Sequence, residues 1–192
     1  KQIAENAKTD QRATIMLLNA LSAMELVSKD QEQYSASESA QTYLNKNSEH
    51  YIGYMIMHHH HLSSSWSDLD QAVRTGGPVR KRAVFSDEQW REAFLMGMYT
   101  LASLQASELV KQVDLDGYTS LLDLGGGPGT YAIHFCRRNP QLKAVVFDLP
   151  GTRPFAEKTI ARYQFSDRIQ YVAGNFLEDD IPGQYDVIWM SH

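Results

Sequence analysis

The sequence of 192 residues contains a single cysteine, Cys136, so no internal disulfide bond can form. A chain without disulfides is typical of a reducing compartment, and the sequence therefore predicts a cytoplasmic location. Cys136 lies in a segment predicted to be helical, where a lone cysteine more often serves packing than chemistry.

The sequence also lacks a long apolar run and an excess of positive charge. Lys and Arg number 18 against 23 Asp and Glu, which gives a formal net charge of −5. No stretch has the length and apolar character of a membrane-spanning helix. A negatively charged chain has no field that attracts nucleic acid. We therefore expect a globular protein that binds neither membrane nor nucleic acid.

A glycine-rich turn follows residues 121–124, which predict a short buried strand. Its glycines are Gly125, Gly126, Gly127 and Gly129. A strand, such a turn and a helix start form the cradle in which α/β folds hold an adenosyl cofactor. Glycine is needed there because the chain turns sharply and the ligand lies against bare backbone.

The turn lacks the residues that would meet a phosphate. Thr130 stands where the dinucleotide fingerprint G-x-G-x-x-G has its last glycine, and the Lys of a phosphate-binding loop is missing. With Asp123 in front, the pattern is acid-x-Gly-x-Gly-x-Gly. S-adenosylmethionine has no phosphate and carries a positive sulfonium, so the turn favours that cofactor.

A second acid, Asp148, follows the predicted strand over residues 143–147. An acid at the tip of the second strand, about 20 residues past the glycines, is where such folds bind ribose hydroxyls. A carboxylate can accept hydrogen bonds from both hydroxyls of a diol. An ordinary loop acid is the alternative interpretation, but the glycine turn makes ribose binding the better one.

The order of predicted elements indicates two kinds of domain. In the second part of the chain, strands alternate with helices, which predicts a Rossmann-like α/β domain with a parallel, partial sheet. Its strands are predicted over residues 121–124, 143–147, 169–173 and 186–190, and its helices over 130–138 and 152–163. A mainly α winged-helix dimerisation domain precedes it, with helices over 1–8, 11–26 and 36–44 and a wing strand over 33–35. The predicted domains are 1–85, a linking helix over 86–113, and 114–192.

A winged helix can also read DNA, which makes a ligand-sensing regulator the alternative function. The helices of a DNA reader carry Lys and Arg toward phosphates and bases. Here the helix over residues 11–26 has the single basic residue Arg12, and Lys29 lies beside Asp30 and Glu32. The charge pattern favours a dimerisation scaffold over a DNA-binding module.

Residues 123–129, 147–150, 174–176 and 186–190 together resemble a known family of enzymes. These are the small-molecule O-methyltransferases that join a winged-helix dimerisation domain to a class I S-adenosylmethionine fold. Caffeate-type, hydroxyindole-type and bacterial secondary-metabolite enzymes belong to it. The resemblance implies a homodimer that uses S-adenosyl-L-methionine to methylate a hydroxyl of a small aromatic or polyketide-like molecule. Later strands of the family are lacking, so we expect the sequence to be part of a longer protein.

The resemblance also implies which residues form the binding sites. The cofactor-binding residues would be Asp123, Gly125, Gly126, Gly127, Asp148, Leu149, Asn175, Phe176 and Ser191. Asn175 departs from the Asp usual in the family, although an amide can still accept from the adenine amino group and donate to a ring nitrogen. Phe94 and Met98, on a long helix predicted over residues 87–110, would bind substrate. From the residues alone, core and pocket wall fit this helix equally well.

The catalytic base stays unknown at this stage. When residues 186–190 are laid on the fourth strand of the family, its histidine base falls three positions beyond His192, so His192 is not expected to be the base. No metal site is predicted. The four histidines at 58–61 point around a helix, and the acidic run at 178–180 fits a solvated loop.

Overall fold

The computed structural model describes residues 1–48, 50–79 and 87–191. The chain divides into two compact units, Lys1–Gly53 and Tyr54–His192. The predicted domain boundary at residue 85 lies outside the described residues, and the three-domain division stays a prediction. No described helix combines the length and the apolar character that crossing a bilayer demands.

The described residues of the first unit form three helices and an antiparallel hairpin. Its elements are α1 (Gln2–Ala7), α2 (Gln11–Ala23), β1 (Val27–Asp30), β2 (Gln33–Ala36) and α3 (Glu38–Tyr43). Asp10 precedes α2 in the sequence as a helix cap would, and its carboxylate accepts the backbone N–H of Ala13 at 2.8 Å. Ser37 caps α3 in the same way at 3.2 Å from Ala40 N. The order helix, hairpin, helix is that of a winged helix.

Residues 28–32 are all polar and predict a turn from the sequence, but this prediction is wrong for residues 28–30, which form β1. Their polar side chains give no strand pattern in the sequence. The strand forms because it pairs with β2. Gln31 adopts φ 52°, and this left-handed residue closes the tight two-residue loop of the hairpin. Asn19 of α2 then fixes the hairpin, since its Oδ1 accepts from Lys29 Nζ and from Tyr34 Oη, each at 2.9 Å.

Ala13, Leu17, Leu21 and Met24 recur at helical spacing and predict one apolar face, which is largely exposed in this structure. None of the residues of α2 is buried. Leu17 is 59% exposed and Met24, just after the helix, is 66% exposed. An apolar surface of this kind is typical of a region that is covered by another chain or segment.

Within the described ranges 50–79 and 87–119, three α-helices precede the sheet of the second unit. They are α4 (Gly53–Ser67), α5 (Leu69–Thr75) and α6 (Glu88–Leu109), and a short 3-10 turn, Val110–Gln112, follows. The sequence predicts one helix over residues 49–61 and another over residues 63–74, whereas α4 continues to Ser67 and α5 begins at Leu69. Helices α4 and α6 approach closely at Gly97, where an added Cβ would lie 3.4 Å from Met55 Cα. Asp87 caps α6 by accepting from Gln89 N at 2.8 Å.

A parallel four-stranded sheet forms the rest of the second unit. Its strands are β3 (Ser120–Leu124), β4 (Lys143–Asp148), β5 (Ile169–Ala173) and β6 (Val187–Trp189), in the order β5-β4-β3-β6. The helices α7 (Thr130–Arg138) and α8 (Arg153–Arg162) lie between the strands in sequence. The predicted parallel α/β fold is therefore confirmed. Its core includes the fully buried side chains of Phe135, Phe147, Leu121 and Val146.

Arg168, just before β5, closes the end of α7. Its guanidinium donates to the carbonyl oxygens of Cys136 at 2.7 Å, Pro140 at 2.7 Å and Asn139 at 3.1 Å. The last carbonyls of a helix have no partner within the helix. A cation there donates hydrogen bonds to them and interacts favourably with the negative end of the helix dipole. This contact joins α7 to the strand at the edge of the sheet.

Candidate functional site

The glycine turn leaves β3 and enters α7 with an exposed stretch of backbone. Gly125, Gly127 and Gly129 all have positive φ, at 68°, 54° and 80°. These are conformations that residues with a Cβ rarely adopt. An added Cβ on Gly127 would meet no atom within 4 Å, so this residue presents bare backbone to open space. The turn is a surface against which a ligand can lie closely.

Asp148 connects the end of β4 to this turn. One carboxylate oxygen, Oδ2, accepts the backbone N–H of Gly127 at 2.8 Å, and Oδ1 accepts the N–H of Leu149 at 2.6 Å. Each carboxylate oxygen can accept a second hydrogen bond. The two backbone bonds therefore orient the half-buried carboxylate and leave it able to bind a diol.

Asp123 lies beneath the turn and has no exposed surface. Its Oδ2 accepts the backbone N–H of Ala132 at 3.1 Å, and its Oδ1 is buried without a hydrogen-bond partner among the described residues. Burial raises the pKa of Asp123 to about 7, the Ala132 N–H lowers it, and the charge of Asp148 raises it. Gly126 covers this carboxyl so closely that an added Cβ would lie 2.5 Å from Asp123 Cγ.

The segment after β5 contributes the third side of the site. Gly174 N donates to Asp148 O at 2.9 Å, and Gly174 has no room for a side chain because Phe147 fills the space. Asn175 Oδ1 accepts from Leu177 N at 3.2 Å and thereby forms a local turn. The ring of Phe176 is 44% exposed and lies 3.6 Å from where a Cβ of Gly125 would be.

The acidic run at residues 178–180 supports this same segment. Asp179 Oδ2 accepts from Asn175 N at 2.8 Å, so the acid stabilises the loop. The described residues contain no set of three or more His, Cys, Asp or Glu side chains arranged to hold a metal ion.

The predicted cofactor residues other than the buried Asp123 lie together at the carboxyl end of the sheet. The glycine turn follows β3, Leu149 follows β4, Asn175 and Phe176 follow β5, and the half-buried Ser191 follows β6. From β3 the chain continues outward to β4 and β5 on one side of the sheet, and β6 then pairs with the other side of β3. The strand order therefore reverses at β3. Parallel α/β sheets bind ligands outside the carboxyl ends of their strands at such a point.

The two predicted substrate residues lie on α6 and are half-buried. The Phe94 ring contacts His58 of α4, with ring centroids 5.4 Å apart. Met98 lies one helical turn further along α6. Both positions can therefore serve core packing and a pocket wall, and their contact with a substrate stays a prediction.

Sequence reasoning missed an aromatic cluster between α4 and α6. His58 is only 8% exposed, and the ring of His61 stacks on Trp90 with centroids 4.4 Å apart and planes 3° from parallel. His58 and His61 are three residues apart, so they share one face of α4. Trp90 and Phe94 are four residues apart and likewise share one face of α6. Two aromatic pairs at helical spacing on consecutive long helices are the signal that could have revealed the cluster.

Arg91 is a further residue that the sequence did not indicate. It lies one position after Trp90 on α6, and an added Cβ on Gly151 would lie 3.1 Å from Arg91 Nε. Gly151 belongs to the short segment between Asp148 and α8. The first turns of α6 therefore pack beside the part of the site that follows β4.

The sheet order, the glycine turn without Lys or Arg and the oriented acid at the end of β4 are those of a Rossmann-like domain. The sequence profile of the O-methyltransferase domain matches residues 66–192. The chain belongs to this O-methyltransferase family.

Individual relatives agree with this assignment. The chain is 30% identical to 3-hydroxy-5-methyl-1-naphthoate 3-O-methyltransferase from Streptomyces sahachiroi, over 99% of this chain and 57% of that protein. It is also 30% identical to the N,N-dimethyltransferase OxyT from Streptomyces rimosus, over 89% of this chain and 53% of that protein. An O-methyltransferase family protein from Burkholderia thailandensis has a similar structure, with TM-score 0.78 and 28% identity over 92% of this chain and 54% of that one. The chain spans about half the length of the relatives it matches.

Proposed function

We propose that the protein of which this chain is part transfers a methyl group from S-adenosyl-L-methionine to a hydroxyl of a small aromatic or polyketide-like molecule. The observation that carries this proposal is the pairing of Gly127 with Asp148 at the carboxyl edge of the sheet. This pairing places exposed backbone without side chains beside a carboxylate that backbone hydrogen bonds already orient. Similarity to a naphthoate O-methyltransferase supports the class of acceptor.

The residues of this chain fit such a cofactor. The cofactor supplies a methyl group activated on a positively charged sulfur. Asp148 would accept from the ribose hydroxyls, with Leu149 against the adenine. Gly125 and Gly127 would face the methionine part, where the absence of side chains allows close approach. The exposed ring of Phe176 lies next to Gly125 and would cover the ligand and exclude water.

Calorimetry with S-adenosylhomocysteine on the full-length protein tests cofactor binding. We expect binding, and we expect Asp148→Ala to weaken it by ~1.5–3 kcal/mol, the usual worth of hydrogen bonds to a charged group. Asp116→Ala is the matched control, since this exposed acid precedes β3 at the opposite edge of the sheet. Absence of binding at millimolar ligand would contradict the proposal.

The proposal also assigns a base outside this chain. The family resemblance leads us to expect a histidine three positions beyond His192, while His192 itself lies outside the described residues. Removing that downstream histidine should lower turnover by about 10²–10⁴-fold, the usual contribution of a positioned base, with little change in cofactor affinity. Turnover lost in His192→Ala but kept without the downstream histidine would show that the base is wrongly assigned.

Similarity to OxyT, an N,N-dimethyltransferase, makes an amine acceptor the second candidate. A panel of phenols and matched aromatic amines, assayed by mass spectrometry for methylated product, distinguishes the two. The proposal predicts that the phenols react and the amines do not. Methylation of the amines alone would replace the hydroxyl assignment.

A winged-helix regulator is the remaining alternative. In this structure the ammonium of Lys29, on the hairpin, donates to Asn19 and lies 5.4 Å from the Tyr34 ring centroid, so its interactions are internal. We expect no shift of duplex DNA by the protein at low salt, where phosphate contacts are strongest. A salt-dependent shift would favour the regulator.

We also propose a homodimer formed through the first unit. The support is the exposed apolar surface of α2 and its end, including Leu17 and Met24. Light scattering on the full-length protein should give twice the monomer mass, and Leu17→Glu should shift the mass toward the monomer. Leu104→Glu on α6 is the control, because Leu104 is 72% exposed but lies in the second unit. A monomeric unaltered protein would contradict this proposal.

A further inference from the structure

Asp123 is an acid in the middle of the sheet. It pairs in register with Val146 on β4 and with Trp189 on β6, and none of its surface reaches solvent. Only the Ala132 N–H donates to its carboxyl group, and Oδ1 has no hydrogen-bond partner in the described part of the chain. An acid so placed cannot touch a ligand directly, yet it lies under the turn that would bind one.

The surroundings favour the neutral form of this carboxyl group. Burying a charge with a single hydrogen bond is costly, because the other oxygen loses its water without replacement. Accordingly burial raises the pKa of Asp123 to about 7, and the charge of Asp148 on β4 contributes in the same direction. On α7 the facing titratable group is Cys136, whose pKa is raised to about 11 mainly by burial, so this thiol stays protonated at neutral pH.

One buried donor belongs to the neighbouring strand, at the residue in register with Asp123. Residues in register on parallel strands point to the same face of the sheet, and Trp189 is in register with Asp123. Trp189 Nε1 is also buried without a hydrogen-bond partner among the described residues. The ring of Trp189 packs against Tyr131 and Phe135 of α7, the helix whose Ala132 binds Asp123. An unsatisfied donor and an unsatisfied acceptor therefore occupy the same face of adjacent strands.

We propose that Asp123 is a positioning residue that loses its proton when the cationic cofactor binds across the glycine turn. This inference rests on the proposed function and adds a role for a group that cannot touch the ligand. The proton leaves the carboxyl group for bulk solvent, and the carboxylate that remains balances the positive sulfonium through the backbone of the turn.

The direction of the proton movement follows from the geometry. Asp123 is already fully buried, so a ligand on the turn removes no further water from it. A Cβ on Gly126 would lie 2.5 Å from Asp123 Cγ, so the backbone of the turn lies directly against this carboxyl group. A cation on the turn favours the ionised form.

Calorimetry in buffers of different ionisation enthalpy counts the protons released as the full-length protein binds its ligand. Because burial raises the pKa of Asp123 toward neutrality, part of the protein holds this proton at pH 7. We therefore expect a measurable release of protons, less than one per S-adenosylmethionine bound, at pH 7, and a release that falls toward zero at pH 9, where the group is already ionised. S-adenosylhomocysteine, which lacks the sulfonium charge, should release clearly less.

Asp123→Asn tests the source of the proton. The amide oxygen can still accept from Ala132 N, so the variant should bind cofactor without any proton release. His134→Gln is the matched control, since His134 is a half-buried group on α7 whose pKa is lowered by burial and by Arg137. It should leave the proton count unchanged.

The outcomes separate this inference from the proposed function. Failure of the unaltered protein to bind contradicts the proposed function, whereas binding without proton release, or equal release by Asp123→Asn, overturns this inference alone. If Asp123→Asn does not fold, infrared difference spectroscopy of the unaltered protein gives the answer. The carbonyl stretch of a buried carboxylic acid should disappear when S-adenosylmethionine binds, and its persistence would overturn the inference.

Discussion

Asp186 and Ser120 hold the start of β6 against the start of β3 with hydrogen bonds in both directions. Asp186 Oδ2 accepts from the backbone N–H and the hydroxyl of Ser120, each at 2.9 Å, and Asp186 N donates to Ser120 Oγ at 2.9 Å. Thr119 donates to the same carboxylate oxygen through its N–H at 2.9 Å and its hydroxyl at 3.1 Å. These donors, the Thr119 N–H first, lower the pKa of Asp186 from 3.8 to about 2.

This pKa predicts how acid affects stability. Because the folded-state pKa is lower than the unfolded one, Asp186 stabilises the fold fully above pH 4 and progressively less as the pH falls toward 2. Melting temperatures measured between pH 7 and pH 2 should therefore decrease in that acid range. Asp186→Asn should lower the melting temperature at pH 7 and flatten its decrease below pH 4. An unchanged acid profile in this variant would mean that other carboxylates govern it.

The guanidinium of Arg168 predicts a second stability effect. Arg168→Ala should reduce the free energy of unfolding by ~2–3 kcal/mol, because charged hydrogen bonds to the carbonyls of Cys136 and Pro140 are lost. Arg168→Lys should recover only part of this, since an ammonium lacks the planar fork of donors. Urea unfolding gives the free energy of unfolding. An unchanged dependence of this free energy on urea concentration checks that both variants unfold in one transition. Equal stability of Arg168→Lys and the unaltered protein would show that the planar arrangement of guanidinium donors is not needed.

Gly127 and Gly117 provide a matched pair for the binding site. Both have positive φ, 54° and 82°, and at neither would a Cβ meet an atom within 4 Å. Gly127→Ala and Gly117→Ala should each cost about 1–2 kcal/mol of stability through left-handed strain. Only Gly127→Ala adds a methyl group where the cofactor would approach the backbone, so calorimetry should show weaker binding in that variant alone. Equal affinities for the two variants would mean that the ligand does not approach the turn at Gly127.

The sheet could be predicted from the sequence because its signals are local. The helix predicted over residues 130–138 agrees in both bounds with α7, since the glycine turn fixes its start and Asn139-Pro140 follows its end. The strand predicted over residues 169–173 coincides with β5. Apolar runs bounded by turns suffice for such strands. The location of the candidate site at the strand ends follows from the same signals.

Other features depend on contacts that no local pattern encodes. Arg168 reads as an ordinary surface arginine, because its carbonyl partner on Cys136 lies 32 residues earlier in the chain. β1 was hidden by its polar side chains, since pairing with β2 creates it. The burial of Asp123 was not visible either, because an acid at the end of a strand has the same sequence signature whether it lies in the binding site or under it.

The sheet order has a consequence for the sequence of folding events. Ser120 pairs with Lys143, 23 residues later, but its contacts with Asp186 span 66 residues. Closing the longer loop costs about 1 kcal/mol more in chain entropy, since the cost rises with the logarithm of length. We therefore expect β3, α7 and β4 to assemble first and β6 to join a preformed surface. The Asp186 hydrogen bonds would then form late, so their loss should speed unfolding more than it slows folding.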